Sequence, residues 1–337
     1  MKDLIYKPAD FKSDQTLKWC PGCGDYGLIN SLQKAMSELD IAPHDTVVVS
    51  GIGCSSRLPY YMGTYGMHTI HGRAAAIATG VKIANSSLSV WQISGDGDAL
   101  AIGGNHFIHA LRRNIDINIV LLNNRVYGLT KGQYSPTSPR GFVSVSSPYG
   151  TVEDPFVPAE LVFGARGRFF ARCVDVDGAN SVDVLVASAR HKGASVVEVL
   201  QNCVIFNDGS QSLVATREGR AMNAIYLKHG EPMLYGPNNE FGIIQDGFNI
   251  RAVELAKENI PLQQVLVHDA HAMDASLHLK LAMLDGQNGP IALGVIRDVD
   301  APTYNESIFE QIEEVKKKKP ARSLSEVLLE SNYWEVK

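Results

Sequence analysis

The sequence contains no run of about 18 or more uncharged apolar residues, the length that a membrane-crossing helix needs. Its first residues, Met1 to Phe11, lack the basic-then-apolar layout of a secretory signal. These two absences lead to the expectation of a cytoplasmic protein with no membrane partner. Positive charge is also short. With 31 Lys and Arg against 36 Asp and Glu, the formal net charge is −5, so nucleic acid, which is bound through concentrated Lys and Arg, is not an expected partner. No internal repeat or long low-complexity tract appears. Five cysteines are too few and too unevenly spaced for a disulfide framework, which leaves metal or redox chemistry to consider.

What is present is an ordinary globular composition, 45% hydrophobic and 20% charged over 337 residues, enough for a sizeable core. Apolar spacing predicts a helix over Tyr26 to Leu39, a buried strand at Thr46 to Ser50, and a closely packed Ala/Gly-rich helix over Gly72 to Asn85. A strand at Val90 to Ser94, a crossover helix near Asn105 to Arg113 and a strand at Ile117 to Leu122 form a strand-helix-strand unit. Strands at Arg172 to Val176 and Ser195 to Leu200 flank a helical pattern over Val182 to His191. This alternation predicts an α/β fold, a mostly parallel sheet with helices on both faces. Residues 1–207 read as the cofactor-binding domain. Residues 208–337 read as a C-terminal extension that contacts another subunit, with helical patterns near Ile250 to Glu258 and Ser323 to Leu329. The basic run Lys316 to Lys319 reads as a solvated helix face.

Ligands in open α/β sheets bind beyond the carboxyl ends of the strands. Cys54 follows the first predicted strand, Asp96 the second, Asn123 and Asn124 the third, and Cys203 the last. One composite site at one edge of the sheet is therefore expected.

Gly95-Asp96-Gly97 is followed by 25 residues and then Asn123-Asn124, each element after a strand. Alone, the first is a tight turn and the second a loop. Separated by one βα unit, they suit a diphosphate and its cation: glycine lets backbone N–H groups approach closely, Asp96 offers a hard carboxylate oxygen, and Asn124 offers an amide oxygen. A nearby backbone carbonyl can complete the protein's share of a Mg2+ shell. The third glycine of a dinucleotide turn is absent, and so is a P-loop. In this motif the sequence resembles the thiamine-diphosphate enzyme superfamily.

Cys20 and Cys23 stand in Trp19-Cys20-Pro21-Gly22-Cys23-Gly24, while Cys54 and Cys203 are unpaired. Two adjacent and two distant thiolates suit a [4Fe–4S] cluster, and spacing alone leaves structural zinc equally open. Cys173 lies inside a strand pattern and reads as a core residue.

Taken together, the Cys20–Cys23 segment, Gly51-Ile52-Gly53-Cys54-Ser55-Ser56-Arg57, His68-Thr69-Ile70-His71-Gly72-Arg73-Ala74, Gly95-Asp96-Gly97-Asp98 and the stretch from Asn123 to Gln133 closely resemble the beta subunit of 2-oxoacid:ferredoxin oxidoreductases. The resemblance covers about Trp19 to Phe206 and weakens beyond. It implies a [4Fe–4S] cluster on Cys20, Cys23, Cys54 and Cys203. It also implies Mg2+ on Asp96, Asn124 and the main-chain carbonyl of Val126. Thiamine diphosphate contacts are implied from Ile52, Gly53, Cys54, Ser55, Gly95, Gly97, Asp98, Gly128 and Leu129.

Arg57 and Lys131 are the cations nearest these motifs and are candidates for the substrate carboxylate. His71 and Arg73 either reach the diphosphate edge or cap a helix. The resemblance further implies oxidative decarboxylation of a 2-oxoacid to an acyl-CoA, or the reverse carboxylation, with electrons passing to ferredoxin. It implies an alpha subunit that supplies the pyrimidine side and the activating glutamate, in a heterodimer or dimer of heterodimers. By analogy the Gly-Leu-Thr-Lys-Gly-Gln stretch favours 2-oxoglutarate over pyruvate or a branched-chain acid. A non-redox thiamine-dependent enzyme with structural zinc, and a non-catalytic scaffold, stay open at this point.

Overall fold

In a computed structural model, residues 5–319, 321–330, 333, 334 and 336 are described. The strands in chain order are β1 (Thr46–Ser50), β2 (Tyr65–His68), β3 (Ser89–Gly95), β4 (Asn118–Asn123), β5 (Phe169–Val174), β6 (Ser195–Leu200), β7 (Ala224–Leu227), β8 (Leu234–Tyr235), β9 (Phe241–Asp246), β10 (Asn249–Glu254) and β11 (Ile291–Asp298). Eight of them form one sheet in the order β2-β1-β3-β4-β6-β5-β11-β7. All neighbours are parallel except β11 against β5. The other three make a small antiparallel sheet, β10-β9-β8.

Because side chains alternate along a strand, the central strands feed two cores at once. Val47, Val49, Ile119, Leu121 and Val196 point into one, which the helices Ala74–Ala84 and Gly104–Arg112 cover. Val48, Trp91, Ile93, Val120, Leu122, Val197 and Val199 point into the other, beneath the helices Asp25–Leu39 and Gly178–Arg190. Such double burial is why these strands read as continuous apolar runs. Cys173 is fully buried in the second core, as its strand pattern suggested.

The C-terminal third departs from its sequence pattern. The expected helix near Ile250 to Glu258 is strand β10, paired with β9 in a hairpin whose register sets Asn249 opposite Asp246. Gly247, with φ 58°, makes the tight reversal that commits this segment to a hairpin. The extension also enters the main sheet, since β7 and β11 are its last two strands. The helix Leu324–Leu329 is present, opened by a capping box between Ser323 and Glu326. Lys316 and Lys318 end the exposed helix Tyr304–Lys318 and pair with Glu313 and Glu314. No helix among the described residues is long and apolar enough to cross a membrane.

Candidate active site

The loops after β1, β3 and β4 converge on a cavity of about 110 Å3. Every residue expected to touch cofactor lines it: Ile52, Gly53, Cys54, Ser55 and His71 from one side, Gly95 to Asp98 from the second, and Asn124, Val126, Gly128 and Leu129 from the third. The Gly-Asp-Gly turn leads straight into a π-helical turn, Asp98–Ile102, a local widening common at functional sites. Gly97 must be glycine, because a Cβ there would lie 2.1 Å from the Tyr127 ring. The Tyr127 hydroxyl donates to the Gly97 carbonyl at 3.1 Å.

Asp96 is buried. Its Oδ2 accepts 2.5 Å hydrogen bonds from Ser135 Oγ and Thr137 Oγ1. Burial pushes its pKa up against these bonds and one from the Gly97 amide, and no cation shares its charge through an ion pair among the described residues. A buried carboxylate on a cavity, met by neutral donors, suits a bound cation. Asn124 lies opposite; its Oδ1 accepts from the Val126 amide at 3.2 Å, and Arg125 between them takes the left-handed conformation, φ 57°. These groups fit Mg2+ with a diphosphate.

Asp98 has a different task from its neighbour. Its Oδ1 accepts from the Ile52 amide at 3.0 Å and the Gly72 amide at 2.7 Å, and His71 Nδ1 lies 2.6 Å away. This brace ties two loops together, and its Oδ2 is buried without a partner. Arg73 directly precedes the helix Ala74–Ala84 and reaches His106.

A second cavity, about 180 Å3, is lined by Cys20, Cys23, Cys54 and Cys203. It shares Cys54, Asn124, Gly128 and Leu129 with the first, so the two have a common wall. Gly128 belongs in that wall: a Cβ there would stand 3.4 Å from Cys203 Sγ and 3.8 Å from Cys54 Sγ. The Trp19 indole donates to the Cys54 carbonyl at 2.7 Å, and Cys23 Sγ donates to buried Asp25 at 3.3 Å. Burial, with Asp25 adding to it, raises the Cys23 thiol strongly and the Cys54 thiol to about 11; burial also lifts Asp25 to about 7. Gln201 spans the wall, accepting from Asn124 and lying 3.8 Å from Cys23 Sγ. No three His, Cys, Asp or Glu side chains among the described residues are placed to hold a single metal ion.

The two candidate cations separate. Arg57 lines the cysteine cavity and donates to the Lys18 carbonyl at 3.0 Å. Lys131 lines neither cavity; it is exposed, with φ 78°, just beyond Leu129 and Thr130. Tyr127, Ser135, Thr137 and Gln201 were not foreseen. The polar run Ser135-Pro136-Thr137-Ser138, so near the Asn-Asn loop, was the available signal.

A mostly parallel sheet that gathers Gly95-Asp96-Gly97 and Asn124 at one cavity defines a thiamine-diphosphate-binding enzyme domain. Residues 51–199 match the family described as "Thiamine pyrophosphate enzyme, C-terminal TPP binding domain". Over 99% of its length the chain is 45% identical to the 2-oxoglutarate oxidoreductase subunit KorB of Mycobacterium tuberculosis, covering 90% of that protein. It is 46% identical to the 2-oxoacid:ferredoxin oxidoreductase 1 subunit beta of Aeropyrum pernix, over 59% of this chain and 63% of that one. A 2-oxoglutarate:ferredoxin oxidoreductase from Magnetococcus marinus, solved with 2-oxoglutarate, coenzyme A and succinyl-CoA bound, superposes with a TM-score of 0.77 at 29% identity, over 98% of both chains. The chain belongs to the family of 2-oxoacid:ferredoxin oxidoreductase beta subunits. It is thus an oxidoreductase component.

Proposed function

We propose that this chain is the diphosphate- and cluster-binding half of a CoA-acylating 2-oxoglutarate:ferredoxin oxidoreductase, completed by an alpha subunit. The observation that carries the reading is the common wall of Cys54, Asn124, Gly128 and Leu129, which sets a four-thiol cavity against the cofactor cavity. When bound, thiamine diphosphate would supply the decarboxylation chemistry and a [4Fe–4S] cluster would supply a one-electron path to ferredoxin.

The chain's own residues position and shield. Asp96, Asn124 and the Val126 carbonyl would hold Mg2+, and the Asp98 brace fixes Ile52 and His71 at the rim. The Cys23 and Cys54 thiols, raised by burial, need a positive centre to ionise, and they line one cavity with Cys20 and Cys203, a set we assign to a cluster. Lys131, next along the chain from the cavity-lining Leu129 and Thr130, is assigned to the substrate carboxylate, with Arg57 on the cluster side. The choice of 2-oxoglutarate over pyruvate rests on the mycobacterial and Magnetococcus relatives. The exposed apolar residues Phe309, Ile312 and Val315 of the extension suit contact with another subunit.

The test is anaerobic purification with the alpha subunit. Thiamine diphosphate and about four irons per chain, with CoA-dependent ferredoxin reduction by 2-oxoglutarate that exceeds the pyruvate rate, are expected. Zinc in place of iron moves the assignment to a non-redox enzyme. Full turnover by this chain alone removes the need for an alpha subunit.

A further inference from the structure

Asp96 is held from a segment that no cofactor motif includes. The turn Ser135-Pro136-Thr137-Ser138 reaches back about forty positions along the chain to place two hydroxyls on the same oxygen, Oδ2, both at 2.5 Å. Ser135, Thr137 and Ser138 are each at most 4% exposed, so these bonds are shielded from competing water. Charge-assisted O–H···O bonds of this length are among the stronger neutral-to-ion contacts.

The turn is itself rigid. The Ser135 amide donates to Ser138 Oγ at 2.8 Å, and the Ser138 amide donates to the Ser135 carbonyl at 3.0 Å. Ser138 Oγ then donates to the Arg125 carbonyl at 2.6 Å. Arg125 lies between Asn124 and Val126, so one four-residue turn grips both the Asp96 side and the Asn124–Val126 side of the cation site. Thr137 Oγ1 also lies 2.8 Å from Asn123 Oδ1, a second acceptor that its single proton can serve only in place of Asp96 Oδ2. Asn123 Nδ2 in turn donates to Glu198 at 2.8 Å, and Glu198 pairs with buried Arg172 at 2.8 Å. Asn123, Glu198 and Arg172 thus form a buried polar chain across β4, β6 and β5 beside the clasp.

We propose that Ser135 and Thr137 are positioning residues for the metal: by occupying Oδ2 they leave Oδ1 of Asp96 to the cation, and with Ser138 they set the separation of Asp96 from the Asn124 loop. This inference rests on the reading of Asp96 and Asn124 as Mg2+ ligands. Outer-shell partners of metal ligands fix the ligand's orientation, and their loss weakens metal binding by about 10–100-fold.

The experiment uses the complex with the alpha subunit, stripped of metal by a chelator. Magnesium chloride is titrated at saturating thiamine diphosphate, and binding is followed by calorimetry and by protein fluorescence. S135A and T137V should each raise the apparent Mg2+ Kd by about 10–100-fold. T137S, which keeps the hydroxyl, should stay near wild type in both Mg2+ affinity and the melting temperature of the stripped complex. Wild-type Mg2+ affinity in both S135A and T137V overturns the clasp while leaving the ligand assignment intact. A parallel loss of affinity and melting temperature that T137S does not rescue reduces the turn to a structural element and also overturns it. Thiamine diphosphate binding to the wild-type complex that needs no Mg2+ overturns the underlying ligand assignment instead.

Discussion

Replacing Gly97 by alanine is the sharpest single perturbation of the cofactor cavity. The new methyl would stand 2.1 Å from Tyr127 Cε1 and 2.4 Å from Cζ, well inside any real carbon contact. The ring has to swing away as a unit. That breaks the 3.1 Å hydrogen bond to the Gly97 carbonyl and the edge contact with His71. Forcing a methyl into a packed site costs about 1–3 kcal/mol, and a lost neutral hydrogen bond adds about 1 kcal/mol. Urea unfolding should therefore show G97A destabilised by about 2–4 kcal/mol. Tyr127 and Gly97 both line the cavity, so thiamine diphosphate affinity should fall as well. In G97A/Y127A the methyl has room, and a double-mutant cycle should return a coupling of about 1–3 kcal/mol. The argument is refuted if G97A unfolds at the wild-type urea midpoint and binds the cofactor with wild-type affinity, because the ring contact would then exert no constraint.

Three further outcomes are expected. Glu198→Ala leaves Arg172 buried without its carboxylate and Asn123 Nδ2 without an acceptor; urea melts should show a loss of about 3–5 kcal/mol, and a loss under about 1 kcal/mol would mean the pair is not buried as described. Cys203→Ser should remove the iron absorbance of anaerobically prepared complex while Cys173→Ser, in the core, should retain it; equal iron in both variants would detach the four cysteines from cluster binding. Burial depresses His268 to about 4, so the unfolded chain takes up a proton that the folded one refuses between pH 6.5 and 4. The stability contribution is complete above pH 6.5 and is lost as pH falls through that window, by at most about 3 kcal/mol. His268→Gln should flatten the acid limb of the stability profile, and an unaltered limb would show that His268 does not control it.

The site residues were legible because the motif residues fall directly after apolar strands, where the chain must turn at the sheet edge. Cys54, Asp96 and Asn124 could be placed together from that rule alone. The grip of Ser135 and Thr137 on Asp96 was not legible, since a hydroxyl carries no periodicity and its partner lies in another loop. The role of Asp98 as a brace was hidden for the same reason. Near Ile250, apolar spacing that suits a helix also suits a hairpin, and the reversal at Gly247 decided the outcome. The strand Ile291–Asp298 has a plain apolar run, yet nothing in its spacing says which strand it will join or in which direction.

That last strand sets a timetable for biosynthesis. Strand β5 ends at Val174, but its outer neighbour β11 is not complete until Asp298. The Arg172 guanidinium likewise waits for the Ala282 carbonyl, which it meets at 2.9 Å. At synthesis rates of about 5–20 residues per second, the outer edge of β5 stays bare for roughly ten seconds after its own residues have emerged. Every cofactor loop has been made by then. A nascent chain halted in this interval presents the unpaired backbone N–H and C=O groups of β5, an edge ready to pair with another like itself.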